Sequence, residues 1–195
     1  MGVWRREIEW RRYFRLLKTK RLILREVTLE DAGDMFKYLS DTDVVKPMGL
    51  DPFETVNDVW DEIKWYESIF EKRFRELDGE ITLKDSGKVI GSCGFLNMVT
   101  KHHRAEIGYE LSKDHWGKGI VSEALEAVVM YGYRHFHLER IEALIEPDNH
   151  PSQKLVEKQG FRREGLLRHY EYTRGKFDDL YMYSLIKEDL NGIFF

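Results

Sequence analysis

Ala105-Glu106-Ile107-Gly108-Tyr109-Glu110-Leu111-Ser112 and, a short polar step later, Trp116-Gly117-Lys118-Gly119-Ile120-Val121-Ser122-Glu123-Ala124 form the stretch that decides the fold. The first part alternates apolar and polar residues and reads as a strand. The second opens a helix: Val121, Ala124, Leu125, Val128, Val129 and Gly132 recur at three and four residues and give one apolar face, running to about His135. Between the two, Gly117 and Gly119 permit positive φ and a close backbone approach. The first N–H groups of the helix lack intrahelical partners and, with the helix dipole, point at negative charge. Strand, glycine loop and helix start together make an anion site, for which pyrophosphate is a suitable guest. The loop lacks the spacing of a Walker nucleotide loop and the GxGxxG of a Rossmann turn, which disfavours ordinary nucleotide enzymes. By themselves, two glycines before a helix are more often a plain turn.

Upstream, Glu80 to Lys84 and Lys88 to Asn97 read as strands around a tight turn at Asp85-Ser86-Gly87, and the polar loop from Thr100 to Arg104 leads into the strand Ala105 to Leu111. That is an antiparallel meander. Before it, Arg21 to Val27 alternates as a strand and Leu29 to about Leu39 reads as a helix with Met35, Phe36 and Leu39 on one side. Pro47, Gly49 and Pro52 punctuate a loop, and Phe53 to Leu77 carries Val56, Trp60, Ile63, Ile69 and Phe70 at the spacing of one or two helices. Downstream, Arg140 to Ile145 reads as a strand, Asn149 to Gln159 as a helix stopped by Gly160, and Phe161 to Leu166 and Leu180 to Ile186 as strands. The simplest architecture is a mixed sheet with helices on both faces, an α/β (α+β) fold.

The chain has 195 residues, 42% hydrophobic and 13% aromatic, enough for one substantial core. Its 34% charged residues balance to a net charge of -4, which favours neither nucleic acid nor an anionic membrane as partner. No run approaches the roughly 20 apolar residues of a membrane helix, and Met1 to Trp10 lacks the apolar centre of a signal peptide. The lone Cys93 sits in an apolar strand, so no intrachain disulfide forms and a reducing, cytoplasmic setting is expected. Cys93 reads as core. His135 and His137 flank Phe136, but no cysteine or carboxylate cluster completes a metal set, and no metal is expected. The division expected is a basic N-terminal segment over residues 1–18, helical, and a single domain over 19–190. The segment interleaves Arg5, Arg6, Arg11, Arg12, Arg15 and Lys18 with Trp4, Ile8, Trp10 and Phe14. It reads as a helix docked on the domain by its aromatics, or as a surface for an acidic partner such as ribosomal RNA or a membrane face.

The run from about Arg21 to Leu185 resembles the GNAT acetyltransferases, specifically the branch of ribosomal-protein N-terminal acetyltransferases. The markers are Lys18-Thr19-Lys20-Arg21-Leu22-Ile23-Leu24-Arg25, Ile90-Gly91-Ser92, Glu106-Ile107-Gly108-Tyr109-Glu110-Leu111, Trp116-Gly117-Lys118-Gly119 with Glu123-Ala124, then Asn149, Ser152 and Gly160-Phe161. The resemblance implies a GNAT fold, with a mixed, mostly antiparallel central sheet splayed between its fourth and fifth strands, and acetyl-CoA as co-substrate. The family's Gln/Arg-x-x-Gly-x-Gly/Ala loop puts Trp116 first, Gly119 at the obligatory glycine and Val121 last, where its bulk departs from the pattern. By resemblance the N–H groups of Gly117, Lys118, Gly119, Ile120, Val121 and Ser122 hold pyrophosphate, with Lys118 as a point charge at the rim. The main chain of Glu110, Leu111 and Ser112 matches the strand edge that pairs with pantetheine amides.

Direct attack needs a neutral amine. An α-amine with pKa near 7.8 is roughly one-seventh neutral at pH 7, whereas a lysine near 10.4 costs about 4.6 kcal/mol to deprotonate. Glu106 and Glu110 lie four residues apart on one strand face and are the candidate bases, Glu106 preferred because it matches the family's glutamate. It reads otherwise as a surface group or a partner of Arg104. A thiolate leaves with little help, and where many GNAT enzymes place a tyrosine this chain has Val156, so Ser152, which the branch places near the sulfur, is the expected acid or sulfur hydrogen-bond donor. Asn149 and Ser152 also read as the N-cap and first turn of a helix. The expected reaction is acetyl transfer to a primary amine, a protein N-terminal α-amine of ribosomal-protein type being the best single acceptor. The rivals are a small-amine acetyltransferase for polyamines, antibiotics or amino acids, and a non-catalytic acyl-CoA sensor. The loop from Asp41 to Phe53 and the helices around Trp60 and Trp65 are expected to line the acceptor side. The basic segment leaves a ribosome contact open, and the sequence also leaves a homodimer open.

Overall fold

The structure is a computed structural model and describes residues 16–70 and 77–192. The described elements run β1 (Leu17–Lys18), β2 (Leu22–Arg25), α1 (Ala32–Leu39), α2 (Thr42–Val45), α3 (Val56–Phe70), β3 (Leu77–Leu83), β4 (Val89–Val99), β5 (Arg104–Leu111), α4 (Ile120–His135), β6 (Arg140–Ile145), α5 (His150–Lys158), β7 (Arg162–Thr173) and β8 (Lys176–Ile186). Among the described residues the strands form an eight-stranded sheet in the order β1-β2-β3-β4-β5-β6-β8-β7. β5 and β6 pair parallel and the other neighbours antiparallel.

Both faces are covered, as the alternation of consecutive residues in β4 demonstrates. Ile90 joins the large cluster with Phe95, Leu125, Val128, Ile141 and Val156, which buries the apolar sides of α4 and α5. Its neighbour Val89 joins a second cluster of Met35, Tyr38, Val45, Val59 and Ile63 from α1, α2 and α3. The expected mixed sheet with helices on both faces is the fold observed. Cys93 is fully buried in the large cluster, as core. Among the described residues no helix is long and apolar enough to cross a membrane.

β5 and β6 are joined only at Arg104↔Arg140, Ala105↔Ile141 and Glu106↔Glu142. Past that point β5 stays on β4, where Gly91 pairs with Leu111 and the Ser112 N–H donates to the Ile90 carbonyl at 2.7 Å, while β6 stays on β8 through Ala143, Leu144 and Ile145. Each strand is held by its other neighbour, so the pair opens into a wedge. This is the expected splay between the family's fourth and fifth strands, here β5 and β6.

Two boundaries differ from expectation. Leu17 and Lys18 pair with Leu24 and Ile23, so the sheet begins inside the segment assigned to residues 1–18; the helix expected there otherwise lies outside the described residues. The last two strands extend far beyond Leu166 and Leu180 into one hairpin closed at Arg174-Gly175, with φ of 48° and 78° as a primed turn requires. Charged residues on both faces of Arg168 to Asp179, almost all exposed, hid this arm from a hydrophobic pattern.

Candidate functional site: the wedge between β5 and β6

The face on which each β5 residue stands follows from its cross-strand partners. Ile107 is opposite Phe95 and shares the α4 side, so Glu106, Gly108 and Glu110 stand on the α1–α3 side, as expected for two candidate bases on one face. At about 3.3 Å per residue they are roughly 13 Å apart, and only one can sit at a given reacting amine. Glu106 is the last β5 residue paired with β6 and so stands at the mouth of the wedge. Glu110 lies in a cross-strand row with Ser92 and Glu80, both buried, beneath Tyr38 of α1.

Glu106 is half-buried and accepts a hydrogen bond from Asn97 Nδ2 at 2.9 Å. Burial pushes its carboxyl above the usual carboxylate range against the Asn97 hydrogen bond, with Glu171 and Glu142 adding to the rise and Arg104 opposing it. Arg104 does not pair with Glu106; it bonds Glu142 at 2.6 Å, and Arg140 bonds Glu142 and Glu164. Asn97 is a residue that sequence reasoning missed. It sits at φ 45° where the β4–β5 register shifts, a bulge that turns its side chain to Glu106. An asparagine inside an otherwise apolar strand was the available signal.

The antiparallel ladder decides which backbone groups face the wedge. Because Ser112 donates to Ile90, the main chains of Glu110 and Ser112 turn toward β4, and those of Ile107, Tyr109 and Leu111 turn toward the gap. Of the expected trio, Leu111 faces the wedge and Ser112 and Glu110 do not. The Leu111 carbonyl is also taken, by Trp116 Nε1 at 2.8 Å. Trp116 therefore ties the glycine loop to the end of β5.

In that loop Gly117 and Gly119 have φ of 71° and 70°, and Gly119 is the N-cap of α4. Ile120 is buried and Val121 packs partly against the large cluster, so its bulk turns inward, away from the N–H groups at the helix start. Lys118 folds back, its ammonium donating to the Asp114 carbonyl at 2.7 Å. Asn149 is the N-cap of α5, its side chain accepting from the Ser152 N–H at 3.2 Å. Val156 is fully buried core, as the missing tyrosine implies. A phenol is nonetheless close by: the Tyr109 hydroxyl lies 3.5 Å from the Ser152 carbonyl, and burial pushes its pKa to about 12. It remains a proton donor at neutral pH. A hollow of about 360 Å³ along α4, lined by Thr19, Glu123, Glu126, Met130 and Arg134, includes nothing from β5 or β6 and is separate from the wedge.

A parallel pair split into a wedge, a half-buried carboxylate at its mouth and a glycine-capped helix start at its end fit the acyl-transfer class that the family resemblance implied. Comparison with known proteins agrees. The family model described as "Acetyltransferase (GNAT) domain" matches residues 21–162. A Bacillus licheniformis protein named "Uncharacterized N-acetyltransferase p20" is 42% identical over 181 residues, 90% of this chain and 98% of its own. The Escherichia coli "[Ribosomal protein uS5]-alanine N-acetyltransferase" is 29% identical over 181 residues, 89% of this chain and 91% of its own. The solved structure "Mycobacterium smegmatis RimJ in complex with CoA-disulfide" superposes with a TM-score of 0.80 at 25% identity, covering 92% of this chain and 90% of that one. The chain belongs to the GNAT family and is an acetyl-CoA-dependent N-acetyltransferase.

Proposed function

We propose that this enzyme acetylates a protein N-terminal α-amine, of the ribosomal-protein type, by direct attack with Glu106 as base. The observation that carries the reading is the placement of Glu106: a half-buried carboxylate of raised pKa, fixed by Asn97, at the point where β5 and β6 separate. One such carboxylate suits an α-amine, which needs only about 1 kcal/mol to lose its proton at pH 7, better than a lysine. The E. coli relative carries the name of a ribosomal-protein alanine N-acetyltransferase. Glu110, in its row with Ser92 and Glu80, is the structural carboxylate of the pair.

For the donor, the N–H groups from Gly117 to Ser122 hold pyrophosphate, and the loop fits this role: both glycines take left-handed φ and Val121 turns inward. The main chains of Tyr109 and Leu111 pair with pantetheine amides, and the Leu111 N–H is the donor available to the thioester oxygen. Tyr109, held at the first turn of α5, gives the thiolate its proton, a role that the family resemblance gave to Ser152 as acid or sulfur hydrogen-bond donor; Asn149 acts by capping that turn. Bound acetyl-CoA supplies an activated acetyl group, and the chain contributes position, a base and hydrogen-bond donors. The domain spans residues 19–190, extended at its edge by β1 (Leu17–Lys18), and the basic segment before it docks on the ribosome.

The test is thiol release from acetyl-CoA with α-amine peptides, lysine-only peptides, polyamines and aminoglycosides. Turnover confined to α-amine peptides is the expected result. A preference for polyamines or aminoglycosides would overturn the acceptor and keep the enzyme.

A further inference from the structure

The glycine loop is gripped from behind by a residue far away in sequence. Arg21, between β1 and β2, donates from Nη1 to the Lys118 carbonyl at 2.8 Å and from Nη2 to the Gly119 carbonyl at 3.0 Å. Its Nε bonds Glu123 Oε2 at 2.6 Å, and its own backbone N–H donates to Glu123 Oε1 at 2.7 Å. Thr19 completes the clamp, its hydroxyl donating to the same Glu123 oxygen at 2.6 Å while accepting from the Leu22 N–H. One guanidinium thus uses its planar fork on two peptide carbonyls and one carboxylate.

A trans peptide is planar, with its C=O and N–H on opposite sides. Fixing the carbonyls of Lys118 and Gly119 toward Arg21 therefore fixes the N–H groups of Gly119 and Ile120 to point away from it. Those N–H groups belong to the set that the proposed function assigns to pyrophosphate. A cation on the carbonyl side also polarises both peptides and strengthens their donors. Glu123 neutralises that cation, so the loop needs no counter-ion before its ligand arrives.

Resting on the pyrophosphate reading of that loop, we infer that Arg21, held by Glu123 and Thr19, is the positioning residue that presets the loop's N–H groups for the phosphates of acetyl-CoA. Arg21 touches no substrate. It contributes to donor affinity, and the chemistry at the far end of the wedge does not depend on it.

The experiment compares acetyl-CoA with S-acetylpantetheine, which lacks the pyrophosphate, in the full-length wild type, Arg21→Ala and Arg21→Lys, with thermal melts of each. In the wild type, acetyl-CoA has a KM at least tenfold below that of S-acetylpantetheine. Arg21→Ala then raises KM for acetyl-CoA by about 10-fold to 100-fold, with kcat changed less than about threefold and kcat/KM for S-acetylpantetheine within about threefold of wild type. Arg21→Lys, which keeps the charge but reaches only one carbonyl, gives an intermediate rise and serves as the readout if the alanine variant does not fold. Equal use of both donors by the wild type would overturn the pyrophosphate reading, and this inference with it. A wild type that discriminates, with an Arg21 variant that loses both donors in equal measure or leaves KM for acetyl-CoA unchanged, would overturn the Arg21 role alone.

Discussion

Replacing Glu106 by Gln is the perturbation that separates catalysis from architecture, because the two side chains share shape and differ in charge. Asn97 Nδ2 can donate to the glutamine oxygen as it does to Glu106 Oε2, 2.9 Å away, so the bulge geometry survives. Loss of a positioned base costs about 100-fold at the lower end of the usual range. At pH 7 an α-amine is roughly one-seventh neutral, so about sevenfold of that loss returns once the solvent deprotonates the amine near pH 9. The expected outcome is a fall in kcat/KM of about 100-fold at pH 7 that narrows to about 15-fold at pH 9. The wild-type profile should show an acid limb above the ordinary carboxylate range, where burial has pushed Glu106. The stability effect has the opposite sign. A carboxyl whose folded pKa is raised contributes stability below its unfolded pKa and loses it as pH rises through the folded value. At pH 7 the ionised Glu106 is a cost, and the Gln variant should melt no lower than wild type. The assay is steady-state thiol release on an α-amine peptide at pH 6 to 9, paired with thermal melts. A loss under threefold at pH 7, or a loss that does not narrow by pH 9, refutes Glu106 as base.

Further outcomes follow from neighbouring geometry. Tyr109→Phe should lower kcat about tenfold while keeping the fold, and Ser152→Ala should cost less; the reverse order in the same assay returns the proton-donor role to the serine. Gly91→Ala should destabilise by about 3 kcal/mol in urea titration, since a Cβ there would stand 2.2 Å from the Glu110 carbonyl oxygen; a loss under about 1 kcal/mol would show that β4 and β5 separate easily. Glu164 is held at about 2 by Arg140 and then by the Ser184 hydroxyl. Its stabilisation is present above the unfolded carboxylate pKa and fades as pH falls toward about 2. Glu164→Gln should therefore flatten the fall in melting temperature between pH 5 and 2, and an unchanged slope there would count against the Arg140 pair.

Local pattern was enough for the helix after Gly119, the strand from Arg140 to Ile145, the meander and the capped helix near Asn149, because each carries its own period, turn or stop residue. It was enough also for the backbone geometry of the glycine loop, since left-handed φ at Gly117 and Gly119 is a local property; pyrophosphate as its guest came from the family resemblance. The family motifs placed Glu106 and the wedge in advance. What only the tertiary structure decided were relations between residues distant in the chain. Which main chains of β5 face the gap depends on the ladder with Ile90. That Arg104 serves Glu142 and Asn97 serves Glu106 depends on a parallel register and a bulge. The grip of Arg21 on Lys118 and Gly119 spans nearly half the sequence. The outer part of the last hairpin, Arg168 to Asp179, stayed hidden because it buries little on either face, so no hydrophobic period marks it and its ladder runs only to the hairpin partner. A sequence records what each residue prefers along its own segment; which partner meets each polar group is settled when the sheet closes.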